Sequence, residues 1–321
     1  MLAAVTEKTQ ENAVTLREAS LKNTLQLAYE TKMGRMYYGK AERMRDPDFL
    51  EQIEGKVRLI LTSPPFPLNR KKRYGNLQGQ EYVNWLADFA PLFRRLLEPR
   101  GSIVMEVGNA WEPGLPVMSP LALEALLEFL KRGRLSLCQQ FVCYNKARLP
   151  GPAEWVNVRR IRVKDAYTHA WWMSPSPYPR AYNKRVLTPY KPAMNELLRT
   201  KKYNWGERRS EHVIGRKSFL KNNRGAIPSN VLEYTNTSAN DDYLAYCRRH
   251  RVKGHPARMA MSVANFFIEF LSTPDKLVLD PFAGSNVTGA AAEKLGRRWI
   301  SIETKKHYIA SSRGRFPTLF S

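Results

Sequence analysis

Cysteine is scarce in this chain. Among 321 residues there are three, Cys138, Cys143 and Cys247, and no C-x-x-C pair. That argues against a disulfide framework or a zinc site; buried thiols and no metal are expected. Acidic residues are few as well. Asp and Glu number 29 against 52 Lys and Arg, which leaves a formal net charge of +23. An excess of that size points to a polyanionic partner, nucleic acid before a membrane surface. There is no apolar run long enough to span a bilayer. The first residues are polar and charged and lack a signal-peptide core, so a cytosolic location is expected. Nor is there a G-x-G-x-x-G dinucleotide fingerprint.

What is present begins at Thr62-Ser63-Pro64-Pro65-Phe66. The apolar run 57–61 leads into it and reads as a short buried strand. Two successive prolines offer no N–H, so a ladder cannot continue through them. Ser63 precedes a proline and is pushed toward extended backbone. The stretch would hold one hydroxyl, one or two free carbonyls and one ring in fixed geometry. That set suits a planar amino group on an aromatic ring. A proline-rich loop that merely ends a strand is the alternative.

A second stretch has a different character. A strand over 276–279 leads into Asp280-Pro281-Phe282-Ala283-Gly284-Ser285-Asn286-Val287-Thr288-Gly289. A helix-forming run follows, then a strand over 298–302 that ends at Glu303. Gly284 lets backbone approach a ligand. The helix start offers N–H groups and a positive dipole end to an anion. Glu303 lies about 20 residues on, the spacing at which an acid meets ribose hydroxyls. An adenosyl group with a carboxylate fits better than a dinucleotide, and S-adenosylmethionine is the candidate. An ordinary strand–helix–strand unit without ligand is the alternative.

Around these two stretches the chain alternates strands and helices. Helices are expected over 47–55, 82–97 with a stop at Pro99–Gly101, 121–130 and 263–271. Strands are expected over 36–39, 102–107, 135–144 and 170–173. This order predicts an α/β fold with a parallel or mostly parallel sheet. Residues 1–32 show weak helical periodicity or form a frayed arm. Arg70-Lys71-Lys72-Arg73 forms a cationic run beside the first stretch, either a phosphate clamp or a solvated charge run. Between 145 and 255 prolines, basic clusters, aromatics and asparagines mix, among them Lys217, Asn222 and Asn223. Cations suit phosphates, and Asn and Arg can read base edges. An inserted recognition region is expected.

Together these residues resemble the amino-methyltransferases of DNA. The order, with catalytic motif first, recognition region in the middle and cofactor turn last, is similar to the permuted beta class, and in particular to the PvuII type of restriction–modification systems. The resemblance covers about 36–315 and includes 149–157, 162–166, Trp171-Trp172, 217–230 and 255–258. It implies a Rossmann-like sheet divided into an arm (1–35), a catalytic half (36–174), a target-recognition region (175–254) and a cofactor half (255–321). It implies that Ser63 and the Pro64 carbonyl hold the target amine, that Pro65 stiffens the turn and that Phe66 stacks the base. Asp280, Phe282, Gly284, Ser285, Asn286, Thr288 and Glu303 would form the S-adenosylmethionine site. Arg70, Lys71, Lys72, Arg73, Lys217, Asn222 and Asn223 would meet double-stranded DNA. Serine at 63 implies cytosine N4 as the acceptor, where Asp or Asn would imply adenine N6. Adenine N6 and a catalytically silent DNA-binding relative are the alternatives. A target CAGCTG and a cognate restriction endonuclease as genetic partner are also implied. Two departures stand out: Lys40 follows Gly39 where members carry an acid, and Met259-Ala260 replaces Phe-Pro. No Pro-Cys dipeptide exists, which argues against the cysteine route of carbon methylation.

Overall fold

The computed structural model describes residues 24–66, 77–235 and 241–317. One mixed sheet of nine strands runs through it. In spatial order these are β1 (Gln26–Glu30), β2 (Gly34–Tyr38), β11 (Arg298–Glu303), β10 (Leu277–Asp280), β3 (Val57–Thr62), β4 (Leu97–Gly108), β6 (Tyr167–Ser174), β5 (Ser136–Asn145) and β9 (Val231–Tyr234). The centre, β2 through β4, is parallel. β6 is antiparallel to both neighbours, and β1 is antiparallel to β2. A small hairpin, β7 (Gly206–Glu207) with β8 (Val213–Ile214), stands apart.

Every residue of β3 is buried. This follows from helices covering both faces of the sheet. Helices Pro47–Ile53, Gly79–Ala87, Phe89–Leu96 and Leu121–Gly133 pack on one face through side chains such as Phe49, Leu86, Phe93 and Phe129. Helices Met261–Leu271, Val287–Lys294 and Lys306–Ser312 cover the other, through Phe267, Ala291 and Ile309. The helix linking β10 to β11 therefore lies on one face, and the helices linking β3 to β4 lie on the opposite face. The crossovers diverge between β3 and β10, so a crevice opens at the carboxyl ends of these two neighbours. Ligands of open α/β sheets bind at such a switch point.

Several expectations are corrected. The single helix over 82–97 is two helices that meet at Asp88. Pro91 explains the break, because its ring collides with the carbonyl four residues earlier and it donates no hydrogen bond. Pro99–Gly101 does not stop that helix. It lies within β4, where the register jumps from Val57↔Leu97 to Leu59↔Ser102. The helical reading of 1–32 fails at its described end: Leu27 lies in edge strand β1. Segment 175–254 also gives elements to the main body. β9 extends the sheet beside β5, and helix Asp242–Arg249 is tied to the cofactor half by a 3.0 Å bond between the hydroxyls of Tyr243 and Ser311. Among the described residues, no helix is long and apolar enough to cross a membrane.

Candidate active site

The two marked stretches meet at the carboxyl ends of β3 and β10. Thr62 Oγ1 donates to Asp280 Oδ1 at 2.7 Å, and both residues are buried. Phe282 N donates to the same oxygen at 3.1 Å. Burial pushes the Asp280 carboxyl up to about 6, against the pull of these hydrogen bonds. Asp280 is therefore a tie between the two turns as well as part of the cavity wall. Thr288 does similar work, donating from Oγ1 to Leu61 O at 3.3 Å.

A cavity of about 380 Å³ opens above this tie. Ser63, Pro64, Pro65 and Phe66 line one part of it; Asp280, Phe282, Gly284, Ser285, Thr288 and Glu303 line another. Gly284 sits at φ +51°, and a Cβ there would lie 3.1 Å from the His255 ring. The left-handed backbone favours glycine, and a Cβ there would press on the His255 ring. Gly284 N donates to Glu303 Oε2 at 2.8 Å, and Lys305 N donates to Oε1 at 2.8 Å. Burial raises the Glu303 carboxyl above the usual range, while these backbone donors hold it down. Oε1 also accepts from Thr304 Oγ1 at 3.3 Å, so it is Oε2 that keeps a second lone pair for a further donor. Phe282 is half-buried against Trp85 and Phe89, with ring centroids 5.5 and 5.4 Å away.

Asn286 does not join this wall. It caps helix Val287–Lys294 from left-handed backbone at φ +55°. Its Oδ1 accepts from Gly289 N at 3.1 Å and from Ser301 Oγ at 2.7 Å, and its Nδ2 donates to Tyr29 OH at 3.1 Å. With no exposure and these three partners, it builds the turn and leaves the cavity surface to Gly284 and Ser285.

On the serine side, Ser63 Oγ donates to the Glu106 carbonyl at 3.2 Å. The Phe66 ring lies on Gly108, where a Cβ would come within 2.4 Å of it. β4 therefore needs glycine at its last position for that ring to sit at the cavity. The Glu106 side chain also lines the cavity and is buried. Thr168 Oγ1 donates to its Oε1 at 2.8 Å. Burial raises the Glu106 carboxyl, while the Thr168 hydrogen bond and the Arg148 charge lower it. Sequence reasoning missed Glu106, Thr168 and Tyr234, all three of which line the cavity. The one signal was a lone acid inside the apolar run of β4, an expensive residue to bury without a purpose. His255 adjoins the cavity too; desolvation lowers its imidazole below the ordinary histidine value.

The described DNA contacts of the proposal lie elsewhere. Lys217, Asn222 and Asn223 are exposed, and none of them lines this cavity. Asn222 Oδ1 accepts from Arg224 N at 2.8 Å, and the Asn223 N–H donates to Tyr190 OH at 2.9 Å. Arg70, Lys71, Lys72 and Arg73 fall outside the described residues. Among the described residues, no cluster of acids, histidines and cysteines could hold a metal.

The chain is 42% identical over 295 residues to the type II methyltransferase M.PvuII of Proteus hauseri, covering 90% of this chain and 85% of that protein. It is 21% identical to M.BglII of Bacillus subtilis over 281 residues, 86% of this chain and 67% of that one. A solved structure named as a cytosine-N4-specific PvuII DNA methyltransferase superposes with a TM-score of 0.72 at 37% identity, covering 91% of this chain and 89% of that chain. The solved complex of M1.HpyAVI with S-adenosylmethionine, at 19% identity and TM-score 0.50, shares the fold over 88% of this chain and 99% of that chain. A model of the DNA methylase family matches residues 57–313. Two turns at a doubly wound switch point, one with a fixed hydroxyl and one with a glycine–carboxylate cradle, agree with these likenesses, and the chain belongs to the DNA methylase family.

Proposed function

We propose that this protein transfers the methyl group of S-adenosylmethionine to the exocyclic N4 amine of cytosine in duplex DNA, as the modification enzyme of a type II restriction–modification system. The observation that carries the reading is a single cavity lined by both Ser63 and the Gly284–Glu303 cradle. Its volume suits an adenosyl-sized ligand. The remaining lone pair of Glu303 Oε2 suits a ribose hydroxyl, and the start of helix Val287–Lys294 suits a carboxylate. Bound there, S-adenosylmethionine supplies an electrophilic methyl group on its sulfonium.

The chain's own residues do the rest. The lone pair of a cytosine amine is delocalised into the ring and is a poor nucleophile. Ser63 Oγ and the Pro64 carbonyl accept its hydrogens, which favours the pyramidal amine and frees the lone pair for in-line attack. Ser63 can accept the amine hydrogen while its own hydrogen stays on the Glu106 carbonyl, because a hydroxyl keeps two acceptor lone pairs beside its donor. Phe66 stacks on the ring. Positioning and fixed dipoles provide most of the acceleration in such a scheme. A duplex base reaches this cavity only by leaving the stack. Glu106, whose backbone carbonyl accepts from Ser63, lines the same cavity, and its buried carboxyl suits the ring edge of the same base. Lys217, Asn222 and Asn223, with Arg70 to Arg73, meet DNA around it. The resemblance through 217–230 favours CAGCTG as the target, with a cognate endonuclease as genetic partner.

Mass spectrometry of nucleosides, with modified-base sequencing of DNA from expressing cells, tests the whole reading. N4-methylcytosine at CAGCTG is the expected result. N6-methyladenine would overturn the acceptor, and N4-methylcytosine at another sequence would overturn only the target.

A further inference from the structure

The loop joining β5 to β6 holds an apolar side chain beside the cavity mouth. Asn145 and Arg148 line the cavity. The next residue, Leu149, is 83% exposed. A lone exposed leucine on a slack loop would need no explanation. This loop is tied down. Arg148 Nη1 donates to Tyr167 O at 3.1 Å, and Lys164 Nζ donates to Arg148 O at 3.4 Å. Asn157 Nδ2 donates to Pro150 O at 3.3 Å, and Asp165 N donates to Gly151 O at 2.9 Å. Leu149 is thus presented to solvent from anchored backbone, one residue from the cavity wall.

Its surroundings suit a polyanion. The same loop carries Lys146, Arg148, Arg159, Arg160, Arg162 and Lys164 against Glu154 and Asp165. Cations of this kind dock phosphates and carry no need for an apolar neighbour. An apolar side chain among them has a use if the duplex is opened beside it. A base drawn toward Ser63 leaves a gap in the stack, and apolar wedges fill such gaps in bent or opened DNA. Val158 and Val163, on the far limb of the loop, are also exposed, but neither adjoins a residue of the cavity wall.

We propose that Leu149 enters the duplex as the target cytosine leaves it and takes its place in the stack. This inference rests on base extrusion into the Ser63 cavity, and the test separates the two. The probe is a short duplex copying the sequence around a cytosine that the wild-type protein methylates in plasmid DNA. In one version 2-aminopurine replaces that cytosine; in another the cytosine faces an abasic site, where extrusion is already cheap. Wild-type protein should raise the 2-aminopurine fluorescence. Leu149→Ala should bind S-adenosylmethionine normally, give a smaller rise and methylate the matched duplex on the order of tenfold more slowly. It should recover to within about twofold on the abasic duplex. Leu149→Met, which keeps the apolar bulk, should restore both readouts. No rise with wild-type protein would overturn base extrusion and this inference with it. A wild-type rise that Leu149→Ala matches, or equal slowing on both duplexes, would overturn the role of Leu149 alone.

Discussion

The hydroxyl of Thr62 and the carboxyl of Asp280, 218 positions apart in sequence, are joined by a 2.7 Å hydrogen bond. Each is the last residue of its strand, and the strands are neighbours in the sheet. This bond sets the serine turn and the glycine turn against each other. Thr62→Val would keep the shape and remove the donor, leaving a buried acceptor short of a partner. A loss of about 1–3 kcal/mol is expected. Thermal unfolding should register it, with weaker binding of S-adenosylmethionine in titration calorimetry.

Asp280 also predicts a pH dependence. Its carboxyl is raised from 3.8 to about 6 in the fold. The folded state therefore holds this proton more tightly than the unfolded chain. The stabilising contribution is fully present below the unfolded value and is lost as pH rises through about 6. Its full size is about 3 kcal/mol. Asp280→Asn should remove this part of the slope, so that the difference between the two proteins in urea unfolding changes between about pH 4 and pH 6. A constant difference across that range would show that Asp280 titrates normally.

Ser63→Ala removes one acceptor of the amine and leaves the glycine cradle alone. Binding of S-adenosylmethionine should be unchanged. Methyl transfer should fall by about a hundredfold, the scale seen when one fixed polar contact to a reacting group is lost. A tritiated-methyl assay reads this directly, and turnover near the wild-type rate would refute the role.

Gly284→Ala places a methyl group at φ +51° and against His255. The left-handed backbone alone costs about 1–2 kcal/mol. The turn would shift, and the amide that now donates to Glu303 would move with it. We expect weaker cofactor binding by about tenfold or more, with DNA binding in the absence of cofactor intact. Calorimetry on one side and a gel-shift assay on the other separate these effects.

The cations Arg70, Lys71, Lys72 and Arg73 predict a salt effect. Each phosphate that one of them neutralises contributes about 0.9 to the slope of log affinity against log salt. Replacing all four with glutamine should flatten that slope by up to about 3.6. An unchanged slope in fluorescence anisotropy would remove the run from the DNA interface.

Much of the site was legible in the chain because its signals are local. Consecutive prolines at 64 and 65, glycine at 284 and an acid at the end of a strand at 303 each restrict backbone or chemistry within a few residues. Asn286 was misjudged for the same reason. Its neighbours in sequence face the ligand cavity, while its own partners, Tyr29 and Ser301, come from distant strands. Glu106 was missed because its setting depends on Thr168 and Arg148, which join it only through the pairing of β4 with β6 and the loop beyond β5. The break at Asp88 was legible in Pro91, but helical periodicity on both sides of it masked the signal.

By itself the sequence determined the two turns, the strand–helix alternation and the large cationic excess. Those follow from composition and from interactions within a few residues. The tertiary structure decided what no local pattern carries: that β3 and β10 are neighbours, that Thr62 meets Asp280, and that Glu106 closes the serine side of one shared cavity. Burial and hydrogen-bond pairing across 218 residues depend on the order of strands in the sheet, and that order is set by the packing of helices on both faces.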